Sequence, residues 1–391
     1  MDTGGKIRTG NILKQLAKLH EITVISNVES PQDDPYVQDM NQFCHDFIQV
    51  PWQETKRYTL KFFLKLSLQM FSPYPVSVLN TVSPDLARVI KDEYARGDYD
   101  LVICDFVQAA LLMDKLDADR TLLFQHNVEA QIAKRHVEQA GNPISKLFWW
   151  LQWYKMDRYE RAQCMRFDCV IAVSEEDKRQ FEEQGCDSAV SIPTGTDIDF
   201  FKPDHSQVNP DQLVFCGSMD WLPNEDGMVF FIEEIFPSIK QRRPGAELII
   251  VGRNPSPVVV KLAENRNDIQ LTGWVDDTRP YLARAGVFIV PLRIGGGTRM
   301  KIFEAMAMGK AVLSTSIGAE GLPVTDGENI ALEDNAAAFA DRACSLMENS
   351  VQAIALGTNA REYVEDNFSW QQVARVFDSI CVDTVNKEVR H

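Results

Sequence analysis

The stretch RIGGGTRMKIFEAMAMGKAVLSTSIGAEGL, Arg293–Leu322, decides the fold of this chain. It follows an apolar run, Val287–Leu292, which is long enough for a buried strand and too short for a buried helix. Gly295–Gly297 then permit a sharp turn, Thr298 can cap a helix, and Gly309 suits the left-handed residue that ends one. The pattern therefore predicts a strand, a glycine-rich turn and a helix of about three turns.

The start of this predicted helix is suited to binding an anion. Unpaired N–H groups and a partial positive charge are available there, and Arg299 and Lys301 add two full charges. One turn further along, Glu304 could accept hydrogen bonds from a diol. Phosphates beside a hydroxylated ring indicate a nucleoside diphosphate. The alternative is a tight connection with solvated charges, in which the apolar side chains from Met300 onwards pack into a core.

Length and composition limit the classes of protein to consider. A chain of 391 residues suggests two domains, or three, and 45% hydrophobic with 25% charged residues is an ordinary globular composition. The formal net charge of -16 and the pI near 4.9 argue against an extended nucleic-acid surface, because phosphate neutralisation needs a basic stripe. We expect no nucleic-acid partner.

The cysteines and the hydropathy pattern indicate a cytoplasmic protein. The eight cysteines form no C-x-x-C pair and have no histidine at zinc spacing, so we expect reduced thiols and no metal centre. No signal peptide opens the chain, and no run of about eighteen apolar residues could cross a bilayer. We expect at most peripheral contact with the inner face of the cytoplasmic membrane.

The first residues depart from a regular α/β unit. Met1–Gly5 predicts a glycine-rich loop, Lys6–Leu19 an amphipathic helix, and Glu21–Asn27 a buried strand. A βαβ unit would place a strand before that loop, and the sequence has none there. We expect either that the true start lies upstream or that the domain lacks its central strand, which would expose neighbouring edges.

The rest of the first half alternates strands with helical segments. Thr121–Gln125 predicts a strand that leads directly into His126. Ligands of an open α/β sheet collect beyond the carboxyl ends of its strands, so His126 is a candidate site residue, although a lone histidine is also often structural. The other predicted strands are Phe47–Pro51, Tyr99–Asp105, Phe167–Ser174 and Val190–Pro193.

A second α/β series follows a linker of Pro, Gly and Asp composition, Pro193–Asp204. Asp197 and Asp199 form a D-x-D there, but no third carboxylate clusters with them, so we expect no metal at this place. Two successive α/β units joined by one linker predict two doubly wound domains facing a cleft. The second set of predicted strands is Gln212–Gly217, Glu247–Gly252, Asp268–Thr272 and the run at Val287.

Two aromatic segments have a composition that suits either membrane contact or packing in a core. Lys56–Phe71 alternates basic residues with aromatics and leucines, as in a helix lying on an anionic membrane surface, and Leu147–Tyr159 is similarly aromatic. The alternative is a core-packed helix with a cationic outer edge.

Together these motifs resemble the retaining glycosyltransferases of family 4, also called group 1, which have the α/β GT-B fold. The resemblance covers nearly the whole chain. It implies an N-terminal Rossmann-like acceptor domain over residues 1–192, a linker over 193–208, a nucleotide-sugar domain over 209–368, and a helix over 369–391 that packs back on the N-terminal domain. The matching motifs are GGKIRTGNILKQLAKLHEITVIS, HNVE, AVSEED, IPTGTDIDFF, VFCGSMDWLPNEDG, LTGWVDD, GGGTRMKIFEAMAMGKAVLST and WQQVARVF.

The resemblance also implies roles for individual residues. Glu304 matches the second glutamate of a paired-glutamate motif that holds the ribose, whereas Gly296 stands where the first would be. The first loop of the second domain, Gly217–Asp220, lacks the basic residue expected there, so the phosphate role moves to Arg299 and Lys301. The implied catalytic residues are His126, Arg299 and Lys301, and the implied donor-binding residues are Gly4, Gly5, Gly217, Ser218, Trp274, Val275, Gly296, Gly297, Thr298, Met300 and Glu304.

The activity implied by the resemblance is hexosyl transfer with retention and without a metal ion. The donor would be a nucleoside-diphosphate sugar and the acceptor a glycan or lipid-linked saccharide, as in cell-surface polysaccharide assembly, with an anionic inner-membrane surface as an expected contact. Charge on the leaving diphosphate would be stabilised by amides and basic side chains. The alternatives are a sugar-nucleotide epimerase on the same fold and a non-catalytic sugar-nucleotide-binding subunit.

Overall fold

The computed structural model describes residues 4–31, 33–53, 55, 59–294 and 300–387. The chain forms two compact units, one of Met1–Pro193 with Val373–His391 and one of Thr194–Gln372. Both combine parallel strands with helices. Within the described helices, none is both long enough and apolar enough to cross a bilayer.

The first unit has two parallel sheets among its described residues. The smaller sheet pairs β1 (Thr23–Val28) with β2 (Asp46–Pro51), and the larger has the order β3-β4-β5-β6. The strands of the larger sheet are β3 (Val102–Asp105), β4 (Thr121–Phe124), β5 (Cys169–Ala172) and β6 (Ala189–Ser191).

These two sheets are not joined to each other by strand pairing in the part of the chain that the structure describes. Among the described residues, β1 pairs with β2 alone and β3 pairs with β4 alone. All six residues of β1 are half-buried and Ile103 in β3 is 41% exposed, whereas β5 is buried throughout. Inner strands of a parallel sheet are normally covered on both faces, so β1 and β3 have the burial of edge strands.

Helices cover both sheets of the first unit. Several begin where a side chain accepts a hydrogen bond from the first turn, as Ser83 does from the Leu86 amide and Ser174 from the Asp177 amide. A 3₁₀-helix spans Val107–Lys115. The α-helices are α1 (Gly4–Leu16), α2 (Asp34–Phe43), α3 (Leu60–Met70), α4 (Val76–Thr81), α5 (Pro84–Tyr94), α6 (Glu129–Gln139), α7 (Pro143–Cys164) and α8 (Glu175–Glu183).

The second unit contains one parallel sheet of order β12-β11-β10-β7-β8-β9. Its chain order reverses between β7 and β10, which is the position where open α/β sheets bind ligands beyond the carboxyl ends of their strands. The strands are β7 (Asn209–Cys216), β8 (Glu247–Val251), β9 (Ile269–Leu271), β10 (Ala285–Val290), β11 (Val312–Ser314) and β12 (Ala331–Leu332).

The helices of the second unit enclose a large apolar core around this sheet. Gly309 lies just after the helix Met300–Ala307 and has a φ of +66°, a conformation that favours glycine. A π-helical turn spans Phe231–Ile235. The helices are α9 (Leu222–Phe230), α10 (Phe236–Arg242), α11 (Pro257–Ala263), α12 (Arg279–Arg284), α13 (Met300–Ala307), α14 (Ala336–Glu348) and α15 (Ser350–Phe368).

The last helix, α16 (Trp370–Asn386), starts in the second unit and continues into the first. Ser369 accepts a hydrogen bond from the Gln372 amide and so caps its first turn. On the first unit, the ring of Phe377 lies 5.2 Å from that of Phe124 in β4, measured between centroids. The predicted return of the C-terminal helix to the N-terminal domain is thus present.

Two local predictions from the sequence were wrong. Gly4 and Gly5 were expected in a loop, but they form the first turn of α1, which ends at Leu16 and not at Leu19. The helix expected from Lys56 begins at Leu60. Lys56 and Arg57 lie outside the described residues, as do Gly295, Gly296, Gly297, Thr298 and Arg299.

The first aspartate of the D-x-D in the linker is hydrogen-bonded to nearby backbone amides. One carboxylate oxygen of Asp197 accepts hydrogen bonds from the amides of Asp199, at 3.1 Å, and Phe200, at 2.8 Å. Aspartate commonly stabilises a turn in this way, so the motif has a structural explanation.

Candidate functional site

Lys301 lies where the chain order of the second sheet reverses. Its ammonium group donates to the side-chain oxygen of Asn224 at 2.7 Å and lies 4.2 Å from the ring centroid of Phe215, in β7. A Cβ on Gly217 would lie 2.7 Å from the ammonium nitrogen, so only glycine leaves room for this approach. A fixed cation therefore lies at the carboxyl end of β7.

Glu304 lies one turn further along α13 and is half-buried. Burial raises the pKa of its carboxyl group, and the nearby Lys301 opposes this shift. Burial, together with the charge of Glu304, raises the pKa of the Cys216 thiol to about 12. Lys301 and Glu304 thus both face the end of β7, and they supply a cation and a hydrogen-bond acceptor, the groups that a phosphate and a diol require.

The loop after β7 is tied to the loop after β8. Arg253 donates from Nε to the hydroxyl of Ser218 at 2.9 Å, and that hydroxyl donates to Asp220 at 2.6 Å. Asn254 donates to the other oxygen of Asp220 at 2.8 Å. Gly252 allows this contact, because a Cβ there would lie 1.8 Å from the carbonyl oxygen of residue 217.

Arg253 was missed from the sequence because it lies 35 positions from Ser218. It follows β8 directly, and β8 pairs in parallel with β7, so both strands end at one edge of the sheet. A prediction that β8 lies next to β7 would have placed Arg253 beside the loop Gly217–Asp220.

The remaining predicted residues of the second unit lie apart from Lys301 or outside the described chain. Trp274 and Val275 follow β9, which is two strands from β7. Trp274 is 69% exposed, and Val275 packs against the core. Met300 opens α13 and is half-buried. As stated above, Gly296, Gly297, Thr298 and Arg299 are not among the described residues.

His126 lies in a separate cluster in the first unit, and its side chain is only 1% exposed. Arg8 donates to His126 Nδ1 at 3.0 Å, so Nε2 bears the proton and donates to Asp105 at 2.6 Å. Thr9 donates to the second oxygen of Asp105 at 2.9 Å. Both ring nitrogens are therefore held by protein groups, and Asp105, whose side chain is 33% exposed, is more open to a ligand.

Gly5 contributes to this cluster through its lack of a side chain. A Cβ there would lie 2.6 Å from the ring of Phe106, which has a φ of +68° and lies 4.1 Å from His126 between ring centroids. A positive φ is unusual for a phenylalanine and concentrates at functional positions. Burial lowers the pKa of Arg8 to about 10, although Asp105 opposes the shift.

Glu160 positions the segment that bears His126, and sequence analysis missed it. This fully buried residue of α7 accepts hydrogen bonds from the amides of Glu129, at 2.8 Å, and Ala130, at 3.2 Å, at the start of α6. Burial raises its pKa to about 8. The one indication in the sequence is an acidic residue on the core-facing side of a long helix.

All eight cysteines are unpaired, and seven are buried. Within residues 4–294 and 300–387, as far as they are described, no cluster of His, Cys, Asp or Glu could hold a metal ion.

Comparison with known proteins identifies the family. Glycosyltransferase Family 4 matches residues 3–200, and the related Glycosyl transferases group 1 match residues 210–349. A 44.6 kDa protein from the cps region of Klebsiella pneumoniae is 24% identical over 72% of this chain and 73% of its own length. The phosphatidyl-myo-inositol mannosyltransferase of Mycobacterium tuberculosis is 30% identical over 54% of this chain, but the match spans only 59% of that enzyme.

A solved structure shares the fold of this chain. Anabaena HepE, crystallised with UDP, superposes with a TM-score of 0.65 at 14% identity, over 98% of this chain and 97% of HepE. The predicted GT-B fold is confirmed. Since one family pattern covers half of the chain and its companion covers most of the second unit, the chain belongs to glycosyltransferase family 4 and is a glycosyltransferase.

Proposed function

We propose that this enzyme transfers a sugar from a nucleoside-diphosphate sugar to a glycan or lipid-linked acceptor, with retention and without a metal ion. The observation that supports this most is the placement of Lys301 beside Gly217, with Glu304 near Cys216, at the point where the sheet order reverses. HepE, which shares the fold, was crystallised with UDP. The relative encoded in the cps region of Klebsiella favours a role in cell-surface polysaccharide assembly.

In the proposed mechanism the second unit stabilises the leaving group. The bond from the anomeric carbon to the diphosphate breaks as a hydroxyl oxygen of the acceptor bonds to that carbon on the same face. Negative charge develops on the departing diphosphate oxygen, which takes up the proton of the acceptor hydroxyl. Lys301, fixed by Asn224 and Phe215, is a preorganised cation for that charge, and Glu304 accepts hydrogen bonds from the ribose. In the first unit, Asp105 and His126 lie near the acceptor.

A donor screen tests this proposal. The purified protein is heated with UDP-, GDP-, ADP- and dTDP-sugars, and the donor that raises the melting temperature is then incubated with lipid-linked saccharides. We expect one class of donor to stabilise the protein and to release its nucleoside diphosphate when the acceptor is present. NMR of the product should show the same anomeric configuration as in the donor. Absence of stabilisation by all four classes would exclude the proposed donor.

The first unit also has an apolar surface that fits membrane contact, formed by the outer faces of α3 and α7. The two helices are joined where Lys155 donates to the carbonyl oxygen of Met70 at 2.8 Å. In a chain of net charge -16, α3 has two lysines and no acidic residue, so an anionic bilayer complements it. The exposed apolar residues are Leu60, Phe63, Leu64, Leu68 and Phe71 on α3 and just after it, and Ile144, Leu147, Trp150 and Tyr154 on α7.

Vesicle flotation tests the membrane surface. We expect the wild type to float with phosphatidylglycerol vesicles and the double variant Leu64→Asp, Leu68→Asp to remain in the soluble fraction, because two charges replace buried apolar contacts with lipid. Hydrolysis of the donor in the absence of vesicles should not change. Val351→Asp, at an exposed apolar position of the second unit, is the matched control and should float normally. Flotation that does not depend on anionic lipid would contradict this part of the proposal.

A further inference from the structure

We propose that Arg253 supplies a second cation to the diphosphate site, on the side of Gly217–Ser218 away from α13. The inference rests on the proposed function and assigns a residue that neither the sequence motifs nor the resemblance indicated. Its basis is the contact between the loops after β7 and β8, described above.

Arg253 is held by the loop that follows β7. Its Nε donates to the Ser218 hydroxyl at 2.9 Å, and Ser218 is itself fixed by Asp220. The side chain is exposed, and its two terminal nitrogens have no hydrogen-bond partner among the described residues. A guanidinium fixed through Nε can present its terminal N–H groups in parallel, which suits two oxygens of a phosphate.

The two cations approach this loop from different strands. Lys301 approaches Gly217 from α13, which follows β10, whereas Arg253 follows β8 on the other side of β7. Gly217 and Gly252 have no side chains, and this lets the two loops come into contact without filling the space beside them. A pair of phosphates over this loop would therefore meet a cation on each side.

Asp220 makes no direct hydrogen bond to Arg253 among the described residues. Its oxygens accept from Ser218 at 2.6 Å and from Asn254 at 2.8 Å. Hydrogen bonds from Ser218 and Asn254 lower the pKa of this carboxyl group, and the charge of Arg253 contributes to lowering it. Asp220 therefore orients Ser218, and through it the guanidinium of Arg253, and acts as a positioning residue.

Titration calorimetry on the full chain tests the assignment. The probes are UDP, GDP, ADP and dTDP, each compared with its monophosphate. For the diphosphate that binds the wild type most tightly, we expect Arg253→Ala to weaken binding about tenfold or more, which corresponds to about 1.4 kcal/mol. The monophosphate should lose much less, Arg253→Lys should restore part of the affinity, and the salt dependence of diphosphate binding should become shallower.

The control is Arg242→Ala, which removes the same charge from an exposed position on α10 and should leave binding unchanged. Wild-type affinity in Arg253→Ala would overturn the assignment while leaving the proposed function intact. An equal loss for the diphosphate and the monophosphate would overturn it as well, since it would indicate a distorted loop. If the wild type binds none of the four diphosphates, the proposed function itself fails.

Discussion

Lys301→Met should weaken binding of the nucleoside diphosphate by about 30-fold to 100-fold and lower transfer by at least as much. The substitution keeps the apolar stem and removes one fixed charge, and hydrogen bonds to charged groups contribute about 1.5–3 kcal/mol. Methionine can keep an apolar contact with the Phe215 ring, over which the ammonium group lies in the wild type, so the melting temperature without ligand should change little. Calorimetry with the diphosphate and initial rates with the sugar donor measure the two effects.

The comparison variant is Lys261→Met, which removes an exposed lysine from α11 in the same unit. It should bind and turn over the donor normally. Normal donor affinity in Lys301→Met would remove the main support for the proposed site.

Glu304→Ala should also depress transfer while the protein stays folded. It should weaken the binding of ribonucleotides more than that of 2′,3′-dideoxynucleotides, because only the former offer hydroxyl donors.

A second large effect is expected from Glu160, in the dependence of stability on pH. Its pKa is about 8 in the folded chain, against an ordinary value of 4.5, because of burial. Between these two values the folded state holds a proton that the unfolded state has released, so stability falls as pH rises from about 4.5 to about 8 and then levels off. At about 1.4 kcal/mol for each pKa unit, the loss is at most about 4–5 kcal/mol.

Glu160→Gln isolates this contribution, since glutamine resembles the protonated acid and cannot titrate. Relative to wild type, the variant should be nearly neutral at about pH 4, below both pKa values, and clearly more stable at pH 8.5, as measured by urea unfolding. Glu182→Gln, on the exposed face of α8, should show no such change. A difference between Glu160→Gln and wild type that stays constant with pH would show that the carboxyl is already ionised in the folded chain.

Much of the architecture could be predicted because buried parallel strands are apolar runs of characteristic length. Gln212–Gly217 and Glu247–Gly252 were placed within a few residues of β7 and β8. Gly217 and Lys301 were assigned to one site by the family resemblance, and the sheet explains why they meet, since parallel strands of one sheet end at one edge. The strand predictions needed only local spacing.

Other features depend on contacts that local spacing does not contain. Arg253 joined the site because β7 and β8 are neighbours, and Glu160 because the first amides of α6 need hydrogen-bond acceptors from another element. Gly4 and Gly5 are helical despite a composition typical of loops, and tertiary packing can override such preferences. The contacts of His126 could not be foreseen, since Arg8 and Asp105 come from other elements.

The division of the first unit's strands between two sheets has a consequence for cooperativity. Backbone hydrogen bonds between strands link β3 to β6 into one sheet, but among the described residues none links β1 to β3. The ribbon of β1 and β2 is held to the rest by side chains, including a small apolar cluster of Val50, Leu86 and Leu112. Its amides should therefore exchange with solvent through a separate, lower-energy opening, and this region is where the domain begins to unfold.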